Sequence, residues 1–267
     1  KSCSAHQTRR HALLTTLTLA YAATTSTTRA QTPDPRQNHL LATTTPHSHY
    51  NIAKATTPNQ LHKAASAFVQ AYWDATPDRV SKLLHGELVR SHYADMENRY
   101  SELVGARRLQ STLLVANERG AAAANDDAEV LALVGCEVAV VNLAEQKVLP
   151  RREGEALFRS RLGAMGARQR KELRNAPLNE LSRTVLPEAH QLFAVLSNLA
   201  VTRTHRRRGL ARALCTEVEA VAAQWRSAGE LLLLQVEEAN VPARELYERL
   251  GFEEQWADED ATATRIA

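Results

Sequence analysis

The sequence predicts a mixed α/β fold, with helices and strands alternating around one sheet. Three observations predict it. The chain has 267 residues, 44% hydrophobic and 24% charged, enough apolar material for a sizeable core. Short apolar runs at 112–116, 130–141, 192–201 and 231–236 have the length and β-branched content of buried strands. Between them, apolar residues recur every three or four positions, the period of a helix packed on one face.

Taken in order, residues 67–73 hold Phe68, Val69, Tyr72 and Trp73 and read as a first strand, with helix as the competitor because of the alanines around them. A turn through Pro77 follows, over 74–78. Val80, Leu83, Leu84, Leu88, Tyr93, Met96, Tyr100, Leu103 and Val104 then keep helical spacing, with Gly86 and Gly105 as natural breaks. The runs 112–116 and 130–141 form a hairpin across a polar loop at 120–127. Residues 144–187 are Arg-rich and weakly patterned; a connection this long reads as a flexible insert, helical in places. The sheet resumes at 192–201. Leu210, Leu214, Val218, Val221 and Trp225 line one face of a following helix. After the strand 231–236, a helix over 241–250 starts with Pro242 in its first turn and ends at Gly251. Strand-like pieces at 252–256 and 261–266 close the chain.

The front of the chain differs in kind. Up to Trp73 it carries seven Lys and Arg against Asp34 alone, and it is crowded with Thr and Ser. Basic, hydroxyl-rich and nearly acid-free is the composition of a transit peptide. The division expected is therefore a disordered transit peptide and linker over 1–58 and a folded domain over 59–267. The Thr and Ser excess fits chloroplast import, to the stroma, better than mitochondrial import. His39, His47 and His49 in this tail read as solvated histidines rather than a metal cluster.

Charge placement bears on partners. The net charge of +3 rests on the front segment, so the rest of the chain is mildly acidic. That argues against a nucleic-acid surface, as does the lack of aromatic residues among the arginines of 144–187. No run of about eighteen apolar residues reads as a membrane span. Cys3, Cys136 and Cys215 are too few and too scattered for a disulfide framework or a zinc site. Cys136 and Cys215 read as buried packing residues, and no metal is expected.

The chemistry concentrates where the strand ending at Val201 turns into the next helix, through Arg206-x-x-Gly209-x-Ala211. The first amides of a helix lack internal partners and sit at the positive end of its dipole, so such a junction presents N–H groups to an anion. Gly209 and Ala211 are small enough for a diphosphate to reach that backbone. On this stretch alone, a phosphate site, a basic nucleic-acid contact and an ordinary crossover all remain open.

Residues 196–201, then Arg206-x-x-Gly209-x-Ala211, then Val236 with Asn240, then Ala243 to Tyr247 and Leu250-Gly251-Phe252 resemble, in order and spacing, the acetyl-CoA-binding half of GNAT N-acetyltransferases. Arg99-Tyr100, residues 107–116 and Val134 to Glu137 look like the plastid GNAT enzymes of plants and algae, which acetylate protein lysines and N-terminal α-amines. The resemblance implies a central mixed, mostly antiparallel twisted sheet of about six to seven strands, flanked by about four helices. It implies acetyl-CoA as co-substrate. The amides of Arg207, Arg208, Gly209, Leu210, Ala211 and Arg212, beside Arg206, would hold the CoA pyrophosphate. Leu199, Ala200 and Val201 would meet the pantetheine and acetyl carbonyl. Asn240 would contact the cofactor arm, and Tyr247 would protonate the departing thiolate.

The residues carry plainer readings as well. Asn240 stands at a helix N-cap position, Tyr247 at a core position, and His205 in a turn. No Asp or Glu lies in 192–201, so the base expected is Glu137 on the preceding strand, with an idle strand carboxylate as the alternative. The acceptor expected is a protein or peptide amine. A reference α-amine, at about 7.7–8.0, loses its proton far more readily than a lysine at about 10.4. A small amine, either an arylalkylamine or a polyamine, is the alternative acceptor, and a basic-tail RNA or membrane module the non-enzymatic one.

Overall fold

The description that follows rests on a computed structural model, which describes residues 16–22, 49–73, 82–101, 109–119, 128–225 and 231–258. Among the described residues are eight strands and seven α-helices. In chain order they are β1 (Thr16–Ala22), β2 (Tyr50–Lys54), α1 (Pro58–Trp73), α2 (Lys82–Tyr100), β3 (Ser111–Glu118), β4 (Ala132–Asn142), β5 (Lys147–Val148) and α3 (Arg151–Ala164). Next come α4 (Ala167–Glu172), α5 (Leu178–Val185), β6 (His190–Val201), α6 (Leu210–Gln224), β7 (Leu231–Glu237), α7 (Val241–Arg249) and β8 (Glu253–Asp258).

The strands form one sheet in the order β2-β3-β4-β6-β7-β1-β8, with the short β5 added to β4. Every pairing is antiparallel except β6 with β7, which run parallel. The mixed, mostly antiparallel sheet is therefore as expected, with three more helices than expected.

Two corrections account for α1 and for α3, α4 and α5. Residues 67–73 are the end of α1 rather than a strand. A capping box starts this helix: Thr57 Oγ1 accepts from the Gln60 N–H (3.2 Å) and Gln60 Oε1 accepts from the Thr57 N–H (3.3 Å), with Pro58 at the first helical position. Ala64, Ala65, Ala67 and Ala71 are buried, so α1 lies close on α2 and the sheet. The first strands are instead β1 and β2, at residues 16–22 and 50–54; both fall within 1–58, expected as a disordered transit peptide and linker. β1 lies between β7 and β8, pairing Thr16 with both Glu237 and Asp258.

The second correction concerns 144–187, expected as a flexible insert. It folds as β5, α3, α4 and α5, docked by a sparse set of apolar residues. Phe158, Leu173, Val185 and Leu186 are buried against Val138, Val140 and Leu192 of the sheet. Gly154 lets α3 approach closely, since a Cβ there would lie 3.2 Å from that of Val140.

α6 covers the same face as α3 to α5. Its Leu210, Leu214, Cys215, Val218 and Ala222 follow helical spacing and pack on Leu196, Leu232 and Leu234. α1 and α2 cover the opposite face over Leu113, Val115, Leu133 and Ala200. Cys136 and Cys215 are fully buried free thiols, as expected. Beyond the described residues lie most of the front segment, the 74–78 turn, Leu103 to Gly105, the 120–127 loop and the 261–266 strand.

Candidate active site

The site begins with a break in the sheet. β6 and β7 pair only at Ala194–Leu232, Val195–Leu233 and Leu196–Leu234, yet β6 runs on to Val201 and β7 to Glu237. The two strands therefore splay. The cause is a bulge in β6: register shifts against β4 between the pairs Leu133–Ala200 and Gly135–Ser197, and Asn198 has φ +53°. A positive φ is uncommon outside glycine, and asparagine is among the residues that tolerate it best.

Tyr100 holds the bulge. Its hydroxyl pairs with Ser197 Oγ at 3.0 Å and accepts from Asn198 Nδ2 at 3.1 Å. The phenol is buried on α2 and passes directly over Gly135, where any Cβ would overlap its oxygen. Past the bulge, Thr202 donates to Leu131 O on the β4 side (2.9 Å). Main-chain groups alternate edges along a strand, so those of Leu199 and Val201 point into the splay while Ala200 faces β4. Two of their carbonyls are in use: Tyr72 Oη donates to Leu199 O (3.3 Å) and Arg206 Nε to Val201 O (3.1 Å).

At the end of the splay, α6 starts bare. Gly209 is its N-cap in the left-handed region (φ +82°), with no side-chain cap, and the first helical bond runs from Ala213 N to Gly209 O. The amides of Leu210, Ala211 and Arg212 are thus left without helical partners. Arg207 is also left-handed at φ +63°, and a Cβ on Gly209 would meet nothing within 4 Å. This is an open, donor-rich cradle of the kind a diphosphate needs. The side chains of Arg207, Arg208 and Arg212 are exposed around it. Arg206 turns away, donating from Nη2 to Ala71 O (2.6 Å) and tying the turn to α1. His205 is the expected turn residue, its Nδ1 within 3.0 Å of Thr202 Oγ1.

On the other wall, Asn240 caps α7, its Oδ1 accepting from Ala243 N at 3.4 Å, and its amide nitrogen is left for other partners. Tyr247 is 6% exposed and stacks edge-on with Phe252 (5.6 Å between centroids). Burial, then the neighbouring Cys215 and Tyr72, push its phenol well above the usual value, so it stays protonated through neutral pH. Tyr72, not singled out by the strand reading of 67–73, bonds β6 at Leu199 O and lies near enough to act on the Tyr247 phenol.

A cleft of about 480 Å³ opens on the sheet face beyond α2, and it reaches Ser197, Asn198 and Gln235 at the root of the splay. Glu137 lies in it, 7% exposed. Arg99 Nη1 donates to its Oε1 (2.9 Å) and Arg151 Nη1 to its Oε2. The pairs continue outward, from Arg99 to Asp95 (2.8 Å) and from Arg151 to Glu155 (3.0 Å). Glu137 is therefore the centre of an alternating chain of charges. Among the described residues, no group of three or more His, Cys, Asp or Glu could hold a metal ion, and no helix is long and apolar enough to cross a membrane.

A splayed strand pair, a bare helix start and a buried phenol together have the geometry that a thioester carried on a diphosphate-containing coenzyme would need. Residues 164–252 match the family model described as Acetyltransferase (GNAT) family. That stretch, a third of the chain, contains the splay, the α6 start, Asn240 and Tyr247, and it supports reading the chain as an acetyl-CoA-dependent N-acetyltransferase. No curated protein sequence matches it. Among solved structures, an integron cassette protein from the mobile metagenome of V. cholerae is 12% identical, with a TM-score of 0.44 over 83% of this chain and 94% of that one. A predicted acetyltransferase with acetyl-CoA from Clostridium acetobutylicum is 14% identical (TM-score 0.40; 78% and 94%). A GCN5-related N-acetyltransferase from Ralstonia eutropha JMP134 is 16% identical (TM-score 0.38; 82% and 96%).

Proposed function

We propose that the chain acetylates protein N-terminal α-amines, and lysines where these arrive neutral, by direct attack of the amine on acetyl-CoA in a ternary complex. The observation that carries this reading is the uncapped start of α6 at the end of the β6–β7 splay, with a cleft entering the same splay from the opposite side. The amides of 207–212 grip the diphosphate, and those of Leu199 and Val201 align the acyl arm and polarise its carbonyl. The amine nitrogen bonds to the carbonyl carbon, the carbon–sulfur bond breaks, and Tyr247 gives its proton to the leaving thiolate. The ammonium proton leaves to solvent and solvent restores the phenol. Asn240 lines the coenzyme arm through its free amide nitrogen.

The acceptor follows from proton bookkeeping. Both oxygens of Glu137 receive guanidinium hydrogen bonds, and Glu155 faces Arg151 and Arg159. Glu137 then anchors the cleft, reaching the amine only through water. An α-amine, partly neutral near pH 8, needs no stronger base, whereas a lysine does. The basic, hydroxyl-rich composition of the front segment outside β1 and β2 is what supports placing this work in the chloroplast stroma. Mass spectrometry of peptides and small amines incubated with protein and acetyl-CoA tests the reading. Acetylated peptide N-termini are expected; transfer only to tryptamine or spermidine would overturn it.

A further inference from the structure

β6 parts from β7 early, and the carbonyls of its freed edge still need donors. The pairing stops at Leu196–Leu234, so Leu199 O and Val201 O, alternate groups on that edge, receive no ladder bond from β7. Side chains stand in. Tyr72 Oη donates to Leu199 O at 3.3 Å, and Arg206 Nε donates to Val201 O at 3.1 Å. The two donors are held differently. Arg206 makes a second bond, from Nη2 to Ala71 O (2.6 Å), which pins its turn to the end of α1. Tyr72 has the longer bond, is 51% exposed, and rests its ring on Phe68, 4.6 Å between centroids. Because Arg206 fixes the backbone next to it, Tyr72 is able to leave by rotating its own side chain, with α1 staying in place.

We propose that Tyr72 competes with acetyl-CoA for Leu199 O, holding that carbonyl until an amide N–H of the coenzyme arm takes it. The claim rests on the coenzyme reading above. The arm carries secondary amides, and along a strand edge it bonds main chain as a neighbouring strand does. A phenol oxygen 3.3 Å from Leu199 O stands where an arm bonded to that carbonyl has to lie. One neutral hydrogen bond is exchanged for another, so the phenol lowers the apparent affinity by the share of time it spends in place. Tyr72 thus sets how readily the coenzyme enters and takes no part in the transfer itself.

The test is Tyr72→Phe, which keeps the ring and removes the competing oxygen. Its Kd for acetyl-CoA, read by calorimetry, is expected about fivefold below that of the unaltered protein. Its Tm falls without ligand and equals that of the unaltered protein at saturating acetyl-CoA, because the bound form no longer uses the phenol. A tyrosine that only braced the fold would lower both Tm values alike and leave Kd where it was. ADP, which has the diphosphate without the arm, is expected to bind both proteins equally. Tyr72→Met serves as the second variant if the first folds poorly, with the same gain expected. Acetyl-CoA affinity unchanged or weakened, or an equal gain for ADP, overturns the inference and leaves the coenzyme reading standing. Failure of acetyl-CoA to bind the unaltered protein and the variants alike overturns both.

Discussion

In the function proposed above, the two halves of the site hold their ligands by different means. The coenzyme half, β6-α6-β7-α7, works through main chain: a bulge, two left-handed turn residues and an uncapped helix. The acceptor half, formed by the end of α2, by β4 and by the start of α3, works through paired side-chain charges. Backbone donors serve one invariant ligand and need only small residues in fixed order. Side-chain charges can be re-paired, which suits the half that must choose among acceptors.

The sharpest test of this division is Gly209→Val. Its φ of +82° suits glycine, and a branched side chain both strains the turn and stands in the path of the diphosphate. Losing two charge-assisted bonds lowers acetyl-CoA affinity about 1,000-fold. Calorimetry reads this, and unchanged affinity in a protein of unchanged Tm would break the backbone account. Tyr247→Phe comes next: kcat falls about 100-fold at unchanged acetyl-CoA affinity. Equal turnover would remove the phenol from the chemistry. Smallest is Tyr100→Phe, which frees Ser197 and Asn198 and blurs the bulge. It raises the KM for acetyl-CoA about tenfold and barely moves the KM for peptide, a split that a general loss of stability would not produce.

The same division explains what could be read from sequence. The proposed coenzyme half is local: Arg206 to Ala211, Asn240 and Tyr247 stand at fixed offsets within strand–helix units, so a family resemblance could single them out where spacing alone left other readings open. The acceptor half is assembled from afar. Glu137 was visible as a carboxylate on a strand, but its partners Arg99 and Arg151 lie 38 and 14 residues away, and folding alone joins them. Aromatic and β-branched residues at 68–73 imitated a strand, although Thr57, Pro58 and Gln60 spelled a helix start. In 144–187 the arginines masked a sparse apolar face, Phe158, Leu173 and Val185, that is enough to dock three helices.

The missing side chain at Gly135 has a wider meaning. The acceptor wall on β4 and the coenzyme strand β6 meet at one phenol oxygen, which exists there only because position 135 lacks a side chain. Neither residue is free to drift alone: a methyl at 135 evicts the ring at 100, and the ring's departure unpins the strand on which the thioester is aligned. Remodelling this enzyme for new acceptors by altering β4 thus passes through a residue pair whose first casualty would be the grip on the donor.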